Sequence, residues 1–122
     1  MPYFFIIDEE TDFAIDVENF AKQLRASWPS VRFEDIKITN DPFLLHWSLR
    51  EGEIDHVGSL HRDRRTISVD DYPKGVARFA LWIRAFLPEQ HKLMLYHDSS
   101  DIAVEITPKT QAEDLIVELN RG

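Results

Sequence analysis

The chain contains no cysteine, which excludes disulfides, a thiolate nucleophile and any cysteine-ligated metal, and which fits the cytosol. Its four glycines are scattered over 122 residues, so no phosphate-cradling glycine loop can be built from them. Gly58-Ser59 is not a GxSxG elbow, because the glycine due two residues after the serine is missing. Basic residues are in deficit: 14 against 22 acidic ones give a net charge of −8. Such a field repels nucleic-acid phosphates and anionic headgroups and attracts basic partners, so neither nucleic acid nor membrane is expected to be bound. Long apolar runs are absent as well. The run Tyr3–Ile7 ends at Asp8-Glu9-Glu10, too short for a signal peptide and without basic residues before it, and nothing approaches a membrane span. A cytoplasmic protein is the expectation.

What is present describes a fold. With 43% hydrophobic and 30% charged residues the chain is globular, and its length suits a single domain, residues 1–122. The organising stretch is Tyr72 to Pro88. Val76, Phe79, Ala80, Ile83, Phe86 and Leu87 recur at helical spacing, Leu81 and Trp82 widen the stripe, Pro73 suits the first turn and Pro88 stops it. Asp70 or Asp71 is placed to cap its start. This predicts a core helix lying against a sheet.

Around it the strands read from composition and alternation. YFFII at 3–7 is apolar throughout and predicts a central strand buried on both faces. Asp16 should cap a first helix with Ile15 and Phe20 as its staple, and Trp28-Pro29 should close it. Residues 31–38 alternate and then change phase near Glu34-Asp35; residues 44–49 alternate again. Residues 55–61 and 65–70 form hairpin arms about Arg62-Asp63-Arg64, with Ile67 and Val69 inward. A second hairpin joins 92–96 to 102–106, and Thr110 with Glu113 predicts a capping box on the last helix. The order β-α-β-β-β-β-α-β-β-α implies an α+β fold, a largely antiparallel sheet of six to seven strands with three helices on one side.

Chemistry is harder to find. His56 and His61 stand five apart on one strand and so face opposite ways; His46 and His56 could be cross-strand neighbours, but HExxH and HxH spacings are absent. His91 and His97 fall at strand ends, where exposure is expected. His61-Arg62-Asp63 opens like a kinase catalytic loop, yet no glycine-rich loop, correctly spaced asparagine or DFG follows. Glu53, Asp55, Asp98 and Asp101 are carboxylates in turns, a position usually solvated. The expectation is no catalytic residue, no metal site and no cofactor. Binding is better supported. The acidic segment from Asp8 to Glu18 steers cationic partners, making Asp8, Glu9, Glu10 and Asp12 candidate contacts, and Tyr72 is a candidate aromatic anchor. Trp82 reads as core.

Four pieces carry a resemblance. They are Leu24-Arg25-Ala26-Ser27-Trp28-Pro29, Gly58-Ser59-Leu60-His61 running into Thr66-Ile67-Ser68-Val69-Asp70, the segment Phe79 to Pro88, and Ile106-Thr107-Pro108-Lys109-Thr110. With them the chain resembles a group of small bacterial α+β proteins similar in type to the acidic immunity proteins of toxin systems. The resemblance implies a protein that works by binding, and it transfers no functional residue. The reading is therefore a non-enzymatic protein with a basic protein partner. Its alternatives are a small metal-dependent or acid/base hydrolase using His46 and His56, and a structural homodimer joined by a strand edge or helix face.

Overall fold

The computed structural model of the chain describes residues 2–7, 13–35, 42–51, 54–97 and 102–121. Among these the elements run β1 (Pro2–Ile7), α1 (Val17–Ser27), β2 (Arg32–Asp35), β3 (Phe43–Glu51), β4 (Ile54–His61), β5 (Thr66–Asp70), α2 (Pro73–Phe86), β6 (Leu93–His97), β7 (Ala103–Ile106) and α3 (Ala112–Leu119). The expected order and class hold. All seven strands join one antiparallel sheet in the order β2-β3-β4-β5-β1-β6-β7.

Parity along the strands decides which residues meet the helices. Phe33, Trp47, Gly58, Val69 and Tyr3 follow one another across the sheet, as do Leu45, Leu60, Ile67, Phe5 and Leu95. These rows are buried, Phe33 partly so, and the helices pack on them: Phe79 of α2 meets Phe5 and Trp47, and Phe20 of α1 meets Trp47. Helix α3 lies beside α2 and adds Leu115 and Leu119 to the same core. The row between them, His46, Ser59, Ser68, Phe4 and Tyr96, belongs to the other face. β1 is central as expected, but only Tyr3, Phe5 and Ile7 are fully buried; Phe4 and Ile6 are half-buried on the face without a helix. A sheet covered on one side needs no second apolar face, so the continuous run overstated the burial.

The helix ends separate local rules from tertiary ones. Asp16 caps α1 through its carboxylate on the Asn19 N–H (3.1 Å), with Ile15 and Phe20 both buried as a staple, and Trp28 is the C-cap. α2 begins at Pro73 after Tyr72, and neither Asp70 nor Asp71 caps it. α3 starts after Gln111, not at a Thr110–Glu113 box, because the Thr110 hydroxyl accepts the Thr107 N–H (2.8 Å) in the preceding turn. The β4–β5 hairpin is held at Asp63, whose carboxylate accepts the N–H of Arg65 and both the N–H and hydroxyl of Thr66, and Arg64 adopts φ 61°. No helix among the described residues is long and apolar enough to cross a membrane.

Candidate functional site

The most distinctive side-chain geometry gathers where β4 and β5 meet the start of α2. His56 shares its parity with Gly58 and Leu60 and therefore points under the helices, where it packs 5.3 Å from the Phe79 ring. Asp71, in the turn into α2, folds inward to meet it: Asp71 Oδ2 lies 2.9 Å from His56 Nδ1, with the two side chains only 3% and 4% exposed. Since the ionised carboxylate can only accept, the ring donates from Nδ1, and in the neutral imidazole Nε2 is left as an acceptor. Asp71 Oδ1 accepts the Tyr72 N–H (2.7 Å). This explains the missing helix cap: the carboxylate is occupied by an interior partner and by the residue that follows it. It also explains Gly75. A Cβ there would stand 1.9 Å from Asp71 Oδ2, so the first turn of α2 can pass Asp71 only without a side chain.

The same turn faces outward at Tyr72, which is 80% exposed, and neighbouring Val57 is 48% exposed. Both border a hollow of about 530 Å3 together with Tyr3, Asp70, Pro73 and His97, at the end of the sheet where β1 begins and β5 and β6 finish. Burial pushes the Tyr3 phenol above its ordinary pKa. On its inner side the His56–Asp71 pair borders a second, small cavity with Trp47, Leu24, Trp28 and Phe79. Trp47 lies over Gly58, where a Cβ would come within 2.2 Å of the indole.

The other face of the sheet carries two histidine–serine pairs. His46 Nδ1 is 2.5 Å from Ser59 Oγ, and His61 Nε2 is 2.5 Å from Ser68 Oγ, with the Phe43 ring against both imidazoles. Desolvation lowers the His61 pKa and Asp63 partly opposes this. At Asp63 desolvation pulls upward, but the hydrogen bonds from Arg65 and Thr66, with His61, together lower its pKa.

Against the sequence expectations, Tyr72 is where an aromatic anchor should be, exposed at the start of α2. Asp8, Glu9, Glu10 and Asp12 lie outside the described residues, as do Glu53, Asp98 and Asp101, and of Asp55 only the backbone is described. His46 and His56 are not brought together: His46 pairs with Ser59 and His56 with Leu49, on opposite faces. The hydrolase alternative built on those two histidines therefore has no common site. His91 and His97 are half-buried rather than exposed, stacked near Phe13 (4.2 Å) and Tyr3 (4.5 Å). No group of three metal-ligating side chains converges among the described residues. The His56–Asp71 pair was missed, although the parity of Leu60 and His56 carried half of the signal. Comparison of the chain with family models, with curated proteins and with solved structures finds no match in any of the three.

Proposed function

We propose that this chain is a non-enzymatic binding protein that takes a basic protein partner, in the manner of an immunity protein occluding a toxin's cationic cleft. The observation that carries the reading is the Tyr72 turn. A large aromatic side chain stands 80% exposed beside Val57 and a hollow of about 530 Å3, while the residue before it is fixed inside the protein by His56. An exposed tyrosine on a rigid backbone loses little conformational freedom when it is covered, which is the property of an interface anchor. The net charge of −8 supports a cationic partner, because complementary charge accelerates encounter and penalises acidic competitors. Asp8, Glu9, Glu10 and Asp12 extend the acidic surface proposed for that contact.

The test is calorimetry of the purified chain with the protein encoded by the adjacent open reading frame, at about 50 mM and about 500 mM salt. Binding should weaken with salt, and Tyr72→Ala should weaken it a further ~10- to 100-fold with the fold intact. Absent binding, binding indifferent to salt, or a Tyr72→Ala variant that binds as well as the native chain overturns the proposal.

A further inference from the structure

The small cavity between α1, α2 and strands β3 and β4 holds a second kind of site. Its walls are almost wholly hydrocarbon, from Leu24, Trp28, Leu49 and Phe79, and its volume is about 20 Å3. Two buried polar atoms on its lining find no hydrogen-bond partner among the described residues: Trp47 Nε1 and His56 Nε2. They are of opposite sense. The indole nitrogen can only donate, whereas His56, whose Nδ1–H is given to Asp71, offers a lone pair at Nε2. Native interiors seldom leave such atoms unsatisfied, and here two complementary ones border one space large enough for a water-sized molecule.

We propose that this cavity binds one hydroxyl-bearing molecule, which accepts from Trp47 Nε1–H and donates to His56 Nε2. The chemistry excludes the alternatives in turn. An anion or a carbonyl compound would satisfy the indole and meet the His56 lone pair, with the Asp71 carboxylate behind it. A cation would satisfy His56 and face the indole proton. Only a group that both donates and accepts completes the pair. Water has that character and the fitting volume; a short alcohol has the same hydroxyl, with its carbon against the apolar wall.

The experiment is diffraction from crystals of the full chain grown from water, with and without a methanol soak, alongside 15N NMR of His56. A single density peak within hydrogen-bond distance of both nitrogens is expected, together with the imidazole proton on Nδ1. An unchanged peak after the soak identifies water as the occupant, and an elongated one identifies the alcohol; both results support the site. A dry cavity, a cavity filled by a rotated side chain, a peak touching only one nitrogen, or a proton on Nε2 overturns it. Trp47→Phe keeps the ring and removes the donor, so the peak should be lost or should leave that wall. Asp71→Asn offers an amide N–H to Nδ1, so the imidazole proton should move to Nε2 while the peak persists, a tautomer change that a purely structural role for Asp71 does not produce.

Discussion

At the scale of single residues, the polar side chains of the interior are each committed to a named partner. Arg84 is the extreme case. It is 5% exposed inside an otherwise apolar helix stripe, and its guanidinium donates to the carbonyls of Pro88 (2.7 Å), His91 (2.7 Å) and, more distantly, Ile106 (3.4 Å). It thereby ties the end of α2 to the turn before β6 and to the end of β7, using the fork geometry that makes arginine suited to several acceptors at once. The helical period gave Arg84 no special mark, because the carbonyls it meets come from chain segments the period does not describe. His61 offers a titration. Its pKa is lowered from the ordinary 6.5 by desolvation, with Asp63 pulling the other way. The folded state thus favours the neutral ring more than the unfolded state does. That contribution to stability is full above the unfolded value and is lost as pH falls through the lower folded value. NMR titration should find the His61 midpoint below 6.5, and Asp63→Asn should lower it further by removing the opposing charge. A midpoint at or above 6.5, or a rise in the variant, contradicts this assignment.

Helices and strands were legible where their rules are local. Asp16 with Asn19, the staple of Ile15 and Phe20, the alternation of Thr66 to Asp70 and the stripe of α2 all depend on neighbours within a turn or two. Thr110 and Asp71 look equally local in sequence, yet each is diverted: one into the turn before α3, the other to a histidine fifteen residues earlier in the chain. The start of α2 shows what that diversion demands. Alanine in a helix ordinarily gains about 0.5–1 kcal/mol over glycine. At Gly75 the added Cβ would lie 1.9 Å from Asp71 Oδ2 and 2.3 Å from its Cγ, so the carboxylate must leave His56. Losing a buried, charge-assisted hydrogen bond costs about 1.5–3 kcal/mol, more than the helix gains. Gly75→Ala should therefore destabilise the chain by about 1–2 kcal/mol in urea unfolding. In an Asp71→Ala background, where the obstruction is gone, the same change should become neutral or stabilising. Equal effects in both backgrounds would show that Asp71 is not what excludes a side chain at Gly75.

For the molecule as a whole, the sequence revealed the class, the order of elements and the charge, while the candidate site arose from strand register and from a loop turned inward. Charge is the property that joins fold to proposed function. At −8 the chain repels itself, and exposed ion pairs such as Lys92–Glu105 (4.0 Å) and Arg121–Glu118 (3.4 Å) return little, since pairs of that kind are screened by solvent. The His56–Asp71 pair is buried, so dissolved salt reaches it weakly. Raising sodium chloride from ~10 mM to ~150 mM shortens the range of electrostatic forces from about 30 Å to about 8 Å, and so removes more repulsion than attraction. The thermal midpoint should rise over that interval, measured by circular dichroism at constant pH. A falling midpoint would mean that attractive pairs dominate the surface and that the acidic excess is spread too thinly to steer a partner. The direction matters for the binding test. If salt strengthens the fold while it weakens association, the loss of binding cannot be unfolding, and it must arise at the surface where the two proteins meet.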